Sequence, residues 1–435
     1  MNLFNIGLKL IDIFKGTSIL NYLNFLNESI KWEKKEIERY QMKKLSKLLH
    51  HSYENIPYYR EIFDKNKIGY DSIYSISDLK KIPVLTRIDI QKNLDKLVVR
   101  KIKKFKSSSS GTTGIPINFY NDLDSQSAGA ASGLFCYQLS GWKPGSKMLH
   151  IWGNELSIKR WNTLASKMKR LFMRQKNLPS TFFNKQENFP EIIKLINKYK
   201  PVSIDGYTSS IYNLSLFIIK TNINVHSPDF VFTTAENLFE YQKEIIEDSL
   251  AKVSDIYGCG EINGIAVCPI NSKKYYIIEP HVIVETEESN EEMNDIIVTD
   301  LDNMIMPFIR YKIGDLIDNV CKNDGDDKIK FDYFKRIIGR SSEVIELRNG
   351  DRISPVNIIG GTLLREIGGV LKHKVVWNGE YLELLLETNK DFKLEYAKRV
   401  INEKFKKYGI EVRLNLVGEL KPCENGKFKF FENRV

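Results

Sequence analysis

The sequence has few cysteines and no long apolar run. Its five cysteines are dispersed and odd in number, so they give no disulfide framework, and a reducing cytosol is the simpler setting. No run approaches the roughly 20 apolar residues that a membrane-spanning helix needs. The first residues, MNLFNIGLKLIDIF, lack the small-residue cleavage site of a secretory signal. The sequence therefore predicts a cytoplasmic protein, with peripheral contact at the inner face of the membrane as the alternative.

The sequence also lacks a basic motif of the kind that binds nucleic acid. The net charge is +10, but acidic residues are interleaved almost everywhere, so no nucleic-acid partner is predicted. The one local cationic cluster with an apolar face, residues 159–176, is interpreted as a solvated helix, with contact to a membrane or an anionic polymer as the alternative. Residues 1–30 are predicted to be helical and packed on their own domain, with a membrane-surface helix as the alternative. The sequence leaves the oligomeric state open.

Metal-ligand pairs and nucleophile motifs are missing as well. The six histidines form no pair with ligand spacing, and no Ser or Cys lies in a nucleophile-elbow sequence. Covalent hydrolase chemistry therefore has no support.

From residue 107 onward, apolar strands alternate with amphipathic helices, which is the pattern of an α/β domain with a largely parallel sheet. One such helix is FPEIIKLINKYKP, residues 189–201. After about residue 339 the pattern changes to a hairpin, a helix, two strands, a helix and two final strands. We predict a large α/β domain over 1–338, with a helical region over about 1–100, a hinge at about 339–343 and a small, mobile α+β domain over 340–435.

The strongest local motif is KSSSSGTTGIP, residues 106–116. Its hydroxyl and backbone N–H groups surround a tight turn without bulky side chains, so it can wrap phosphate oxygens. The GK[ST] ending of a Walker sequence is absent. A flexible Ser/Gly linker is the alternative, although the run is short and ends at Pro116 before the strand-like INFY. Alone, the motif leaves both interpretations open.

SSGTTGIP, residues 109–116, resembles the phosphate loop of the adenylate-forming (acyl-CoA synthetase-like) superfamily. The group that fits is the phenylacetate–CoA ligase-like one, with its CapK-type capsular-polysaccharide members. The resemblance recurs in order along nearly the whole chain. The further segments are FTTAENL (232–238), YGCGE (257–261), VTDLDNMIMPFIRYKIGD (298–315), GRSSEVI (339–345) and ENGKFKFFENRV (424–435).

The resemblance implies an ATP site built from these segments. Glu261 would help hold Mg²⁺, a hard cation that prefers carboxylate and phosphate oxygens. Asp315 would accept hydrogen bonds from the ribose hydroxyls, with Arg340 beside it. The adenine pocket would include Ala235, Glu236, Tyr257 and Gly258. The phosphates would lie on Ser109, Ser110, Gly111, Thr112, Thr113 and Gly114.

The implied function is a ligase that activates a carboxylate as an acyl-adenylate. Attack on the α-phosphate brings two anions together, so catalysis depends on charge neutralisation and positioning. Lys427 would bridge the carboxylate and the α-phosphate, with Thr112 and Glu261 as further catalytic groups. The small domain would then rotate about Ser342 to admit the acceptor. Coenzyme A is the predicted acceptor, and an amine or hydroxyl of a sugar or its carrier in surface-polysaccharide biosynthesis is the alternative.

Some positions depart from the family pattern. Gly260 stands where Ser or Thr is common before the glutamate, and Ile115 where many relatives carry Lys. These departures favour a third alternative, a non-catalytic nucleotide or acyl binder on the same scaffold. Ser342 replaces a common hinge Asp, and hinge function is expected to survive because a hinge needs backbone freedom more than charge.

Some members of the group carry a structural zinc, and Cys268 and Cys321 resemble remnants of that site. Tyr276 and Asn323 stand where further ligands are expected, and His281 is displaced from the expected position. Two thiolates and a displaced His do not make a closed tetrahedral site, so no zinc is predicted.

The identity of the acid cannot be read from residue spacing. Segments near Trp152, Tyr207 and Tyr257 are candidates for the acyl pocket. His150 is interpreted as a structural histidine, and an approach to that pocket is the alternative. Arg310 is interpreted as a paired, partly buried structural cation and is not placed in the site.

Overall fold

The computed structural model describes the chain except for residues 1–2, 100–103, 110–115, 154–166, 168–169, 289–292, 324–326, 348–349 and 424–426. The described chain forms two compact units. Unit 1 comprises Met1–Gly145 and Ile256–Ile337, and unit 2 comprises Ser146–Asp255 and Ile338–Val435. The division into domains 1–338 and 340–435 stays a prediction. None of the described helices is both long enough and apolar enough to cross a bilayer.

Unit 1 begins with helices and continues with antiparallel strands. Its helices are Leu3–Lys15, Ile19–Ser29, Lys34–Asn55, Pro57–Asn66, Arg87–Asn93 and Leu123–Leu139, with a 3₁₀ turn at Ile76–Lys81. Phe105–Ser108 and Asn118–Asn121 form a hairpin. Three antiparallel strands pair in chain order, namely Val282–Glu288, Asn294–Asp300 and Tyr311–Ile317. A short strand, Tyr275–Ile277, pairs with Ala266–Cys268 on one side and with Tyr333–Phe334 on the other. Two strands, Val253–Tyr257 and Ile337–Arg340, carry the chain across the boundaries between the units.

Unit 2 contains the parallel sheet that the sequence predicts. Four of its strands are parallel neighbours, in the order Phe230–Thr234, Ser203–Tyr207, Met148–Ile151 and Gln175–Leu178. Helices Phe189–Tyr199, Thr208–Thr221 and Glu240–Ser249 and the 3₁₀ turns Ser180–Asn184 and Gln186–Asn188 connect them or follow them. Because parallel strands need crossover connections, alternating strands and helices produce this layer.

The C-terminal part of unit 2 is a small α+β region. A hairpin of Ile345–Glu346 and Arg352–Ile353 follows the turn Ser341–Glu343. Three helical turns follow, at Pro355–Ile358, Ile359–Leu363 and Leu364–Ile367. They lead to a four-stranded sheet with the strand order Glu411–Leu416, Tyr381–Thr388, Val370–Trp377 and Phe431–Asn433. Helix Leu394–Lys406 comes in the chain just before strand Glu411–Leu416. The predicted fold class, a large α/β part with a largely parallel sheet and a smaller C-terminal α+β part, is confirmed.

The helix predicted over 189–201 is confirmed as Phe189–Tyr199. Ile192, Ile193 and Ile196 lie at helical spacing and are buried in the core of unit 2. Lys200 takes a left-handed conformation that ends the helix, and Pro201 follows. The hydrophobic pattern and the breakers were therefore sufficient to place this element.

Two local predictions need correction. The first helical region is two helices, separated at Gly16, whose φ of +70° suits a glycine. The sequence SISDLKKIP, residues 75–83, predicts a short helical stretch that Ser77 precedes and Pro83 ends. The structure has a 3₁₀ turn at Ile76–Lys81, which is capped by Ser75 through hydrogen bonds to Asp78. Two serines two residues apart give similar sequence patterns, and the choice between them depends on which one the chain holds in an extended conformation.

The predicted helix over 159–176 lies largely outside the described residues. Its last residues are not helical, since Gln175 begins a strand. Residues 1–30 pack partly on unit 1, where Phe4 and Leu8 are buried, while Ile13 and Phe14 are exposed. Contact with a membrane stays a prediction for both segments.

Gly206 lies at a close approach between two strands of the parallel sheet. A Cβ at this position would lie 2.6 Å from the backbone oxygen of Ile151 and 2.7 Å from its Cβ. We expect Gly206→Ala to lower the free energy of unfolding by about 1–3 kcal/mol, because neither strand can move without breaking the ladder. The control is Gly418→Ala, where a Cβ meets nothing within 4 Å. Urea denaturation of both variants checks this, and equal midpoints would contradict it.

Candidate functional site

Glu261 lies in unit 1 in a buried position, with one carboxylate oxygen fixed and the other available. Oε1 accepts hydrogen bonds from Arg87 Nη2 at 2.8 Å and from the Tyr311 hydroxyl at 3.1 Å. The Glu261 side chain is only 1% exposed. No described residue hydrogen-bonds to Oε2. A carboxylate held in this way offers one oxygen to a hard cation such as Mg²⁺, so the residue fits the predicted ligand.

Tyr257 and Asp315 are also in unit 1 and contact each other. The Tyr257 hydroxyl donates to Asp315 Oδ2 at 2.9 Å, and both residues are more than nine-tenths buried. Asp315 lies on the strand Tyr311–Ile317, one residue after Gly314, whose φ is +93°. The two residues predicted for adenine and ribose are therefore neighbours, although the Tyr257 hydroxyl is bonded to the protein itself.

The described end of the Ser/Thr/Gly segment lies beside the Tyr-Gly-x-x-Glu segment. Ser109 and Ile117 pair twice, through Ser109 N to Ile117 O at 3.0 Å and Ile117 N to Ser109 Oγ at 3.1 Å. A Cβ on Gly260 would lie 3.9 Å from the Ser109 Cα, at ordinary contact distance. The remaining predicted phosphate-binding residues, Ser110, Gly111, Thr112, Thr113 and Gly114, lie outside the described residues.

Small residues allow helix Leu123–Leu139 to approach the loop that follows Tyr257. Ser132 Oγ donates to Gly264 O at 2.6 Å, and a Cβ on Gly264 would lie 2.6 Å from that hydroxyl. Asp122 caps this helix by accepting from Ser125 N at 2.7 Å. A cavity of about 310 Å³ lies between the helix and the loop, lined by Gln126, Glu261 and other polar groups. Glu261 therefore lines a cavity that has other polar groups in its wall.

In unit 2, the C-terminal segment is bonded to the loop after strand Phe230–Thr234. Glu236 Oε1 accepts from Phe428 N at 2.6 Å and from Ser209 Oγ at 3.1 Å, and Oε2 accepts from Ser209 N at 2.7 Å. Burial raises the pKa of Glu236, and the nearby Lys427 opposes that rise. Ala235 has a left-handed φ of +67°, an uncommon conformation for alanine that turns the loop at this point.

Lys427 Nζ lies 5.2 Å from the centre of the Tyr207 ring, a cation–π distance. Burial raises the pKa of Tyr207 to about 12, so its hydroxyl stays neutral at neutral pH. Arg340 is partly buried and caps the short turn Ser341–Glu343, which contains the exposed Ser342. The predicted residues thus fall into two groups, one in each unit.

Sequence reasoning gave Arg87 and Tyr311 no role in the site. Tyr311 lies in the segment 298–315 that resembles the family, but a tyrosine there has many other uses. Arg310, the residue before it, is buried, and its guanidinium donates to Glu285 at 3.1 Å and to Ile82 O at 2.6 Å. The interpretation of Arg310 as a paired structural cation is confirmed.

His281 lies in a buried ionic cluster of unit 1. Its Nδ1 is 2.7 Å from Asp302 Oδ2 and its Nε2 is 3.1 Å from Asn263 O. Since both partners only accept, both ring nitrogens donate and the ring is an imidazolium. Lys44 Nζ lies 2.6 Å from Asp302 as the second cation, and burial raises the pKa of Asp300 to about 6. A protonated ring has no lone pair for a metal, so the group formed by His281, Asp300 and Asp302 is better described as an ion-pair cluster.

The residues considered for zinc make other contacts. Cys268 Sγ donates to Ser272 O at 3.4 Å, and Tyr276 donates to Asp327 at 3.0 Å. Cys321 pairs through its backbone with Tyr333. Zinc stays outside the proposal below.

Comparison with known proteins gives relatives over most of the chain, although no protein-family model matches it. Protein CapK of Staphylococcus aureus is 26% identical over 400 residues, which are 88% of this chain and 86% of CapK. The phenylacetate-coenzyme A ligase of Aromatoleum evansii is 25% identical over 303 residues, 65% of this chain and 66% of the ligase. The enzyme of the same name from Escherichia coli (strain K12) is 36% identical over 95 residues, which are 20% of this chain and 22% of that enzyme.

Solved structures share the fold. A 2-hydroxyisobutyryl-CoA ligase in the postadenylation state aligns with a TM-score of 0.74 at 16% identity, covering 92% of this chain and 90% of that one. The anthranilate CoA ligase AuaEII in complex with anthranoyl-AMP aligns with a TM-score of 0.53 at 13% identity, covering 74% and 65%. The predicted resemblance to adenylate-forming ligases, CapK and the phenylacetate–CoA ligases is confirmed.

The buried imidazolium makes stability depend on pH. Burial opposes the charge on His281, but the hydrogen bond and charge of Asp302 outweigh it and raise the pKa of His281 above 6.5. The stabilisation is complete below pH 6.5 and is lost as pH rises through the raised pKa. We expect the free energy of unfolding to fall there by up to about 1.4 kcal/mol per pH unit.

His281→Gln removes the titrating group and should remove this part of the pH dependence. Urea denaturation between pH 6 and pH 9 measures it, with His50→Gln at an exposed position as the control. If the His281→Gln curve keeps the slope of the unsubstituted protein, His281 is not the charged group.

Proposed function

We propose that this protein is an ATP-dependent ligase that activates a carboxylate as an acyl-adenylate and transfers the acyl group to coenzyme A. The observation that carries the proposal is the contact between the C-terminal segment and the adenine-loop segment. Phe428 N is bonded to Glu236, 192 residues away, and Lys427 lies next to that bond. The family resemblance implied that these two segments serve one site.

In the first half-reaction, a carboxylate oxygen of the substrate attacks the α-phosphorus of ATP, and pyrophosphate leaves. Two anions must approach, so the largest contribution expected from the protein is positive charge held in place. Lys427 supplies this charge. The Glu236–Phe428 hydrogen bond fixes the backbone next to Lys427, which limits the freedom that the ammonium loses on binding.

Mg²⁺ would bind through Glu261 Oε2, while Arg87 and Tyr311 keep the other oxygen. A bound magnesium ion would neutralise charge on the phosphates and pyrophosphate. Asp315 is assigned to the ribose and Tyr257 to the adenine. Arg340 is assigned to a place beside the ribose. The nucleotide pocket is assigned to Ala235, Glu236 and Gly258. The β- and γ-phosphates are assigned to Ser109, Ser110, Gly111, Thr112, Thr113 and Gly114.

In the second half-reaction, the acceptor attacks the acyl carbon and AMP leaves. We assign Ser342 as the hinge of the movement that withdraws Lys427. Its exposed position in a three-residue turn makes few packing demands.

Lys427→Ala separates the two half-reactions. We expect carboxylate-dependent ATP–pyrophosphate exchange to fall at least 100-fold, because the charge that bridges the two anions is lost, while transfer from supplied acyl-AMP persists. The matched control is Lys429→Ala, an exposed lysine two residues away. The assay uses the full chain with a panel of aryl, fatty, amino and uronic acids. Unchanged exchange in Lys427→Ala would remove Lys427 from the mechanism.

The acceptor is tested with the acid that gives the fastest exchange. We expect coenzyme A to consume the acyl-adenylate and to lose its free thiol in equal amounts with AMP release. Adding amino-sugars instead should leave the adenylate in place. Trapping by amino-sugars without thiol consumption would instead support the polysaccharide alternative. Thermal stabilisation by ATP with no pyrophosphate formed from any acid would support the non-catalytic binder.

A further inference from the structure

Four side chains on one face of the parallel sheet in unit 2 lie outside the segments assigned to ATP. His150 is directly opposite Asp205 in the pairing of strands Met148–Ile151 and Ser203–Tyr207. Side chains two residues apart on a strand lie on the same face. Trp152 follows His150 by two residues, and Tyr207 follows Asp205 by two. This face is at the carboxyl ends of parallel strands, where open α/β sheets bind ligands.

His150 and Asp205 form a hydrogen-bonded pair. Nδ1 of His150 lies 2.8 Å and 2.7 Å from the two carboxylate oxygens of Asp205. The Asp205 side chain is 2% exposed and the His150 side chain 23%. Because a carboxylate only accepts, Nδ1 carries a proton, and in the neutral form of the ring Nε2 presents a lone pair. None of the described residues hydrogen-bonds to Nε2, so this acceptor is available to a ligand.

The residue opposite His150 on the next strand carries a second unused acceptor. Asn177, on strand Gln175–Leu178, pairs with His150 in the register of the two strands. Its Oδ1 is buried and has no hydrogen-bond partner among the described residues. Buried amide oxygens are normally paired, so this oxygen can accept a further hydrogen bond.

Aromatic rings connect this polar end to Lys427. The rings of His150 and Trp152 are stacked at 5.7 Å with an interplanar angle of 11°, and those of Trp152 and Tyr207 are 4.7 Å apart. At the other end of this row of rings, Lys427 Nζ lies 5.2 Å from the centre of the Tyr207 ring. Asp205 and Tyr207 are two strand residues apart, about 7 Å, which is close to the length of a substituted aromatic ring.

We infer that this face is the acyl-binding surface and that it selects an aromatic carboxylic acid with a hydroxyl or amino donor at the end distant from the carboxylate. The inference rests on the proposed function, since it takes Lys427 to hold the carboxylate. The ring of the acid lies against Trp152 and Tyr207. The donor bonds His150 Nε2, with Asn177 Oδ1 as the adjacent acceptor, and Asp205 is a positioning residue that fixes the tautomer of His150.

A donor-bearing acid is favoured because an unsubstituted ring would leave Nε2 and Oδ1 without partners after excluding water from them. Sites built to bond a substrate hydroxyl discriminate strongly against analogues that lack it. The charge of Asp205 disfavours an acid with a second carboxylate at this end.

The experiment measures acid-dependent ATP–pyrophosphate exchange by the full chain, with kcat and KM determined separately. Matched sets of phenylacetates, benzoates and cinnamates carry a para-hydroxyl, a para-amino group or hydrogen. We expect kcat/KM to be at least tenfold higher for a hydroxyl- or amino-substituted acid than for its unsubstituted parent. The hydroxyl and amino arms distinguish the two donors.

His150→Phe keeps a flat ring against Trp152 and removes the nitrogen. We expect it to abolish or reverse the preference, mainly by raising KM for the substituted acid relative to KM for the parent acid. Asp205→Asn can donate to Nδ1 and so move the proton to Nε2, which should also abolish the preference for donors. His50→Phe, at an exposed position in unit 1, is the control. Thermal melting confirms that each variant is folded.

Two results would overturn the inference while the proposed function stands. One is equal kcat/KM for substituted and parent acids. The other is a preference for substituted acids that survives in both His150→Phe and Asp205→Asn. Absence of exchange with every acid in the unsubstituted protein would overturn the proposed function itself, and the acyl surface with it.

Discussion

The hydrogen bond from Phe428 N to the partly buried carboxylate of Glu236 is the constraint on which the arrangement of unit 2 depends. This carboxylate also accepts twice from Ser209, so three donors share it. A carboxylate that is shielded from water is costly unless its oxygens are bonded. Removing the C-terminal segment would leave Oε1 with one donor fewer. The position of Lys427 next to this bond is therefore held by the backbone, whatever its own side chain does.

The same constraint limits how the small region can move. The Tyr212 hydroxyl donates to Leu371 O at 2.6 Å. The Phe239 ring packs against Phe430. It also lies so close to Gly360 that a Cβ there would be 2.7 Å from the ring. Any rotation about Ser342 must break these contacts together with the bond to Glu236. A ligand can drive such a change only if it favours the rotated state. Under the proposed mechanism, loss of pyrophosphate and arrival of the acceptor would be events of that kind, since each would change the charge that Lys427 faces.

The sequence predicted the elements and the order of the motifs, but it could not predict their contacts. Helix Phe189–Tyr199 follows from its apolar spacing and its breakers, and the parallel sheet follows from the alternation of strands and helices. The meeting of Glu236 with Phe428 was implied only by resemblance. The pairing of Glu261 with Arg87, 174 residues away, and of His150 with Asp205, 55 residues away, depends on which strands and helices become neighbours. Nothing local in the sequence records that choice. The Ser75 cap shows the same limit at short range, because two nearby serines satisfy one pattern.

Gly260, the departure from the family pattern in the Tyr-Gly-x-x-Glu segment, is weaker evidence against catalysis once its surroundings in the structure are known. Among the described atoms, a Cβ on Gly260 would meet the Ser109 Cα at 3.9 Å, an ordinary contact distance, so Ser109 does not require a glycine at this position. A binder without chemistry would need a nucleotide pocket, but it would have no use for an ammonium held beside the partly buried carboxylate of Glu236. Nor would it need Glu261 with one oxygen fixed by Arg87 and Tyr311 and the other left open. Each feature costs desolvation free energy, and each is accounted for if the residue meets charge that develops during a reaction. This is the physical reason to prefer a ligase over a binder.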